Sequence, residues 1–201
     1  MTRPTNVVLV LLLGVVLVLL RAACSERAYG QGAEVSRMEH LLLTRICVSE
    51  DGFDDVDDDC AAIHEVLRSV ARRHGLSLAS AMRAYSSRAT GALPPRTARQ
   101  TWVASLSLDC REPHGWSALN AMRRGAGQRA VSWSRARAPC LRRVEHTHEL
   151  LRTGRIVCDE PPDHWGGRMD RPRALRAGWR EVECGETDNE FWAMGQGGAE
   201  P

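Results

Sequence analysis

The chain has 201 residues, with 27 basic residues, all of them Arg, against 25 acidic ones, and a formal net charge of +2. This length allows one domain with a full hydrophobic core and excludes a second large one. Arg3 and Arg21 account for the whole excess of positive charge, so the rest of the chain is neutral overall. The domain is neutral, and the Arg-rich stretch 111–143 contains only two rings on which bases could stack, Trp116 and Trp133. Both features argue against nucleic acid as a partner.

Residues 1–23 have the pattern of an export signal. The apolar run 7–20 is shorter than the about 20 residues that a membrane-spanning helix needs. The small residues Ala22 and Ala23 follow it, as cleavage sites require. We therefore predict a signal peptide, with an uncleaved membrane anchor as the alternative. Either way the remainder is exported, and the protein is periplasmic, secreted or attached to the outer side of a membrane.

Residues 24–36 are small and polar and are predicted to be a tether. Cys24 follows Arg21-Ala22-Ala23, which is similar to the lipid-attachment motif of bacterial lipoproteins. The match is partial, because Arg21 stands where that motif has a Leu-like residue. Cys24 is a lipidation candidate, and the alternatives are its removal with the signal or its persistence as a free thiol.

Six further cysteines are spread through the rest of the chain: Cys47, Cys60, Cys110, Cys140, Cys158 and Cys184. They contain no Cys-x-x-Cys pair, the spacing typical of zinc ligands, so we expect disulfides formed in an oxidising compartment and no metal site. The sequence does not choose among the pairings that six cysteines allow. Sequential pairing is the simplest expectation.

Apolar periodicity predicts a mainly α-helical domain over residues 37–192. The predicted helices cover residues 36–49, 60–74, 77–87, 97–109 and 134–153. Ser36 and Glu39 have the spacing of a capping box, and Gly75 is a stop signal. In the fourth helix Trp102, Leu106 and Cys110 are expected to point inward. The Gly-, Pro- and Trp-rich C-terminal third is predicted as loops held by a disulfide, with one short strand at 179–183 and a flexible tail at 193–201.

Glu50 is the candidate acid. It stands at the end of the first predicted helix, in a segment bracketed by Cys47 and Cys60. A carboxyl at a buried helix end has its pKa raised by desolvation, so that it stays protonated as a general acid must. The alternative is that Glu50 belongs to a solvated acidic loop.

The acidic residues that follow Glu50 have part of the pattern of a calcium site, because Asp55, Asp57 and Asp59 alternate as in an EF-hand. That loop needs Gly at its sixth position and Glu at its twelfth, where this chain has Cys60 and Val66. A solvated or helix-capping acidic loop is the better interpretation.

The segment 158–192 contains a His-Trp pair on a Gly- and Pro-rich stretch, together with Trp179 and Trp192. Sugars stack on indole rings and hydrogen-bond to a polar rim, so this composition suits carbohydrate binding. The alternative is that these Trp residues fill a small core.

Together these segments resemble the bacterial cell wall hydrolase family of the spore-cortex-lytic type, which has a lysozyme-like helical core. Ile46-Cys-Val-Ser-Glu50 is similar to that family's helix ending in the catalytic Glu, and Ala62-Ile-His-Glu-Val-Leu67 to its next helix. Asp163-His164-Trp165 is similar to the family's Thr-His-Tyr element, and Thr187-Asp-Asn-Glu-Phe191 to its closing segment.

The resemblance implies a peptidoglycan hydrolase or lytic transglycosylase that uses Glu50 as its general acid and base and needs no cofactor or metal. Substrate binding is expected at Tyr85, His164, Trp165 and Asn189. The chain departs from the family after Glu50, where Ala-Arg-Gly-Glu is replaced by Asp51-Gly-Phe-Asp54, and in its cysteine framework.

The sequence also allows a role without catalysis. The alternative is an exported envelope protein or lipoprotein that uses its Trp-rich C-terminal segment to bind glycan or a protein partner.

Overall fold

The computed structural model describes residues 34–53 and 58–194, apart from the side chain of Asp51. The predicted export signal, Cys24, most of the tether and nearly all of the predicted tail lie outside these residues. Within the described part of the chain, no helix combines the length and apolar character needed to cross a bilayer.

The described chain is mainly helical, as predicted. Its seven helices are α1 Arg37–Asp51, α2 Asp59–His74, α3 Leu78–Tyr85, α4 Ala98–Ala104, α5 Trp116–Gly125, α6 Trp133–Thr153 and α7 Arg171–Arg176. Three short strands, β1 His164–Gly166, β2 Arg180–Val182 and β3 Glu190–Ala193, form an antiparallel sheet in the order β1-β3-β2.

Helices α1, α2, α3 and α6 confirm four of the predicted helices to within two residues at each end. Gly75 ends α2 in the left-handed region at φ 62°, as its role as a stop signal requires. The Ser77 hydroxyl caps α3 by accepting the Ser80 N–H. The predicted capping box at Ser36 is wrong, because the Ser36 side chain makes no cap hydrogen bond.

The fourth predicted helix is too long, since α4 ends at Ala104 and not at residue 109. The Ser105 hydroxyl donates to the carbonyls of Trp102 and His114. Such local side-chain bonds to the backbone compete with helical ones. Cys110 has φ 50°, which no right-handed helix contains. Trp102, Leu106 and Cys110 are nevertheless buried, as the periodicity predicted.

The prediction of a loop-rich C-terminal third is also wrong in part. Strand β2 confirms the strand predicted at 179–183, but β1, β3 and α7 were not predicted. The central strand β3 pairs with both neighbours, and Phe191 lies opposite Trp165 on one side and Val182 on the other. Phe191 and Trp192 are fully buried, so this region is a packed sheet. Helix α5, within the Arg-rich segment, was likewise missed.

Two clusters of buried apolar side chains form the core. One lies between α1, α2 and α3 and includes Phe191 from the sheet. The other joins Val48, near the end of α1, to Trp102, Trp116 and Trp133. The end of α1 therefore packs between the two clusters, and its position is fixed from both sides.

The six cysteines form three disulfides, Cys47–Cys60, Cys110–Cys140 and Cys158–Cys184, so sequential pairing is confirmed. The first joins the last turns of α1 to the start of α2. The second joins the segment after α4 to α6, and the third joins the segment before β1 to the loop between β2 and β3. Three disulfides indicate an oxidising, extracytoplasmic environment.

Gly185 gives a first test of this packing. It has φ 35°, and a Cβ built there would collide with the carboxylate of Asp58, which Arg155 and the Glu186 N–H hold in place. We expect Gly185→Ala to lower the free energy of unfolding by about 1–3 kcal/mol, because it adds backbone strain to a clash. Gly167→Ala is the control, since its Cβ would meet no atom within 4 Å. Equal melting temperatures for the two variants would contradict this packing.

Candidate active site

Glu50 occupies the last turn of α1. Helix α1 ends at the next residue, Asp51. Gly52 follows with φ 78°, and its N–H donates to the Val48 carbonyl. Ile46, Cys47 and Val48 are fully buried, so the end of the helix cannot shift without disturbing the core. The negative end of the helix dipole also disfavours an ionised carboxylate at this place.

The pKa of Glu50 is raised above its ordinary value. Desolvation is the largest cause, and the nearby charge of Asp59 adds to it. A hydrogen bond from the Trp165 side chain and the charge of Arg99 act in the opposite direction and are outweighed. The residue as a whole remains exposed, so this desolvation comes from the side facing its neighbours. Glu50 therefore combines access to solvent with a raised pKa, which favours the protonated form that a general acid uses.

Trp165 joins Glu50 to a group of aromatic rings. Tyr85, at the end of α3, stacks on Trp165 with ring centroids 6.0 Å apart and an angle of 27° between the rings. His164 lies 6.4 Å from Trp165 and 5.1 Å from Trp179, centroid to centroid. Burial lowers the pKa of His164, so the ring is predominantly neutral at pH 7. We call Tyr85, Trp165, His164 and Trp179 the aromatic strip.

The C-terminal Trp residues differ in how deeply they are buried. Trp192 is completely buried and packs against His164, so it belongs to the core. Trp165 and Trp179 are only partly buried, and Tyr85 keeps 37% of its surface exposed. Rings of this kind can stack on the apolar face of a sugar while their edges hydrogen-bond to it.

Glu50 also lines a cleft of about 470 Å³ between the end of α1, α4 and α5. Trp102 and Met122 give this cleft apolar surface, and Gln128 gives it an uncharged polar group. Trp165 does not line it. Glu50 is therefore shared between the aromatic strip and the cleft.

Two arginines, Arg99 of α4 and Arg123 of α5, line the same cleft. A guanidinium nitrogen of Arg99 donates to the Ser49 carbonyl at 2.6 Å, which holds α4 against the end of α1. Arg123 lies over the Trp116 ring, 5.8 Å from its centroid. Neither residue could be singled out from the sequence, because 27 arginines are spread along the chain.

Asn189 is linked to the site through Asp59. Its backbone N–H and that of Asp188 donate to the two carboxylate oxygens of Asp59, which is fully buried. Asp59 thereby attaches the loop before β3 to the start of α2. The structure thus brings Glu50, Tyr85, His164 and Trp165 together and connects Asn189 to them through Asp59.

The Asp59 carboxylate accepts these two backbone hydrogen bonds. The Asp58 carboxylate accepts hydrogen bonds from the Arg155 guanidinium and from the backbone N–H of Glu186. Asp54, Asp55, Asp57 and the side chain of Asp51 lie outside the described residues. In the described ranges no three His, Cys, Asp or Glu side chains are grouped as metal ligands would be.

The arrangement supplies a carboxyl of raised pKa, a row of stacking rings and a cleft with two cations. These are groups suited to acid-catalysed cleavage of a bond in a bound, partly apolar and hydroxyl-rich ligand. The short motifs that resemble the cell wall hydrolases include Glu50, His164 and Trp165. Comparison of the chain with protein-family models, with curated proteins and with solved structures gave no match.

Proposed function

We propose that this domain cleaves a glycosidic bond in cell-wall glycan and that Glu50 donates the proton to the leaving oxygen. The observation that carries the proposal is a carboxyl of raised pKa placed between an aromatic strip and a cleft. The resemblance to cell wall hydrolases with a lysozyme-like core supports it through the same residues.

The proposed mechanism needs a single carboxyl. Glu50 protonates the glycosidic oxygen as the C1–O bond breaks, and an oxocarbenium-like centre develops at C1. Glu50, now a carboxylate, accepts the proton of the muramyl 6-hydroxyl as that oxygen closes on C1, which gives a 1,6-anhydro product. Asp59 is not available as a second carboxylate, because both its oxygens accept backbone N–H groups. We propose the lytic route because it uses Glu50 alone.

The proposed location is outside the cytoplasm, where cell-wall glycan is found. Three disulfides and the export signal predicted from residues 1–23 support it. Attachment to the membrane through an uncleaved or lipidated N-terminus is part of this proposal.

Analysis of the products tests the proposed function. The purified domain is incubated with peptidoglycan, and the soluble fraction is examined by liquid chromatography and mass spectrometry. Anhydro-muropeptides are the expected products, and new reducing ends would instead indicate hydrolysis by water. Glycan that binds the domain without being cleaved would refute the enzymatic proposal and favour the non-catalytic envelope protein.

The pH dependence of cleavage follows from the pKa of Glu50. Because desolvation raises that pKa, the active, protonated form persists to higher pH than for an ordinary Glu and is lost as the pH rises through the raised value. Trp165→Phe keeps a ring beside Tyr85 but removes the hydrogen bond that stabilises the carboxylate. We therefore expect the alkaline limb of the rate profile to move to higher pH in this variant.

The matched control is Trp179→Phe, which changes a ring of the same strip that does not bond to Glu50. Its alkaline limb is expected to coincide with that of the unmodified protein. A limb that moves to lower pH in Trp165→Phe would contradict the assignment of Glu50 as the acid.

A further inference from the structure

Among the described residues that line the cleft, positive charge exceeds negative charge. Its charged lining residues are Glu50, Arg99 and Arg123. When Glu50 carries its proton, as an acid must before reaction, two guanidinium groups face the cleft without an ionised carboxylate in its lining. Arginines presented in this way bind planar anions through paired N–H donors.

The two arginines differ in the other contacts that their side chains make. Arg99 donates to the Ser49 carbonyl at 2.6 Å and so also holds α4 against the end of α1. Arg123 makes no ion pair with any carboxylate among the described residues. Its guanidinium is therefore available to a ligand.

Arg123 is also held in position. It lies over the face of Trp116, which is 4% exposed and donates its indole N–H to the Val131 carbonyl at 3.1 Å. A cation supported by a buried ring loses less side-chain freedom when it binds an anion. Met122 and Trp102 add apolar surface beside it.

We propose that Arg123, assisted by Arg99, binds a carboxylate carried by the sugar unit in the cleft beside Glu50. This inference rests on the proposed function and names its substrate class. The substrate is a glycan with carboxylate substituents, such as strands whose lactyl groups are free acids, and not a neutral polymer of N-acetylglucosamine. The aromatic strip then binds the sugar units on the other side of the bond that is cleaved.

Binding to the Glu50→Gln variant tests the inference, because this variant is expected to bind substrate without consuming it. The probes are peptide-free glycan strands with free lactyl carboxylates and the same strands with those carboxylates converted to methylamides. We expect calorimetry to show that the free-acid strands bind roughly ten- to a hundredfold more tightly, the range that a charge-assisted hydrogen bond provides.

A second substitution in the same background locates the effect. Arg123→Gln is expected to remove the preference for the free acid, and Arg123→Lys to keep part of it. Arg124→Gln is the matched control, since Arg124 is the exposed neighbour on α5 and does not line the cleft. We expect it to leave the preference unchanged at low and at moderate salt.

Three results would overturn the inference: equal affinity for the two probes, no binding of either probe, or an undiminished preference in Arg123→Gln. The proposed function fails separately, through the absence of cleavage products from the unmodified protein. A preference for the free acid without products would therefore leave the carboxylate site standing and remove the catalytic role.

Discussion

Glu50→Gln is expected to abolish the clearing of a cell-wall suspension. Gln has the shape of Glu and still accepts the hydrogen bond from Trp165, but it cannot donate a proton to a leaving oxygen. Loss of a general acid lowers a rate by about a hundred- to ten-thousandfold, so turbidity should stay constant over the time in which the unmodified protein clears it. The melting temperature should not fall, because Gln keeps the shape of the side chain and removes a carboxyl whose ionised form the folded state disfavours.

The control for this variant is Glu112→Gln, which makes the same chemical change at an exposed position that does not line the cleft. It should clear the suspension as fast as the unmodified protein. Undiminished clearing by Glu50→Gln would remove Glu50 from the mechanism, whereas a lowered melting temperature would show that the substitution acts through the fold.

Removal of the Cys47–Cys60 disulfide should clearly lower the stability of the domain. The bridge closes a loop with a sequence separation of 13, and both cysteines are fully buried. Its loss lets the unfolded chain explore more conformations, which costs about 3 kcal/mol for a loop of this size. The double variant Cys47→Ala, Cys60→Ala should therefore unfold at a clearly lower urea concentration and melting temperature.

This double variant should also lose activity at temperatures where it is still folded. The bridge holds the last turns of α1 against the start of α2, where Asp59 attaches the loop before β3. Alkylation and mass spectrometry of the unmodified protein, before and after reduction, provide the chemical control. Stability within about 1 kcal/mol of the unmodified protein, or reaction of Cys47 or Cys60 with the alkylating agent before reduction, would contradict this role.

Local sequence signals were sufficient for the helices that carry an apolar face of three turns or more. Helices α1, α2 and α6 each repeat buried residues with helical spacing, and Gly75 marks where α2 must end. The pairing of the strands into a sheet could not be predicted, because the strands have three or four residues and depend on partners up to 28 residues away, such as His164 and Trp192. Strand formation depends on such non-local packing more than on local preference.

The candidate site was predicted in part for a similar reason. Glu50 stands out locally, because a carboxyl ends a buried helix between two cysteines. Trp165, more than a hundred residues later, was assigned to the sugar-binding cleft only through the family resemblance, and its hydrogen bond to Glu50 was not predicted. Arg99 and Arg123 reach the cleft through the packing of α4 against α5 and the end of α1. No pattern along the chain distinguishes them from the other arginines.

The central claim is that burial raises the pKa of Glu50 at the wall of the cleft, and titration of its side-chain carboxyl carbon by NMR tests this without a substrate. The Glu50→Gln variant assigns the signal. Glu149, whose pKa is lowered by its hydrogen bond with Arg152, is the internal reference. Glu50 is expected to titrate above the ordinary value of 4.5 and at a higher pH than Glu149. A Glu50 signal that titrates at or below 4.5 would contradict it.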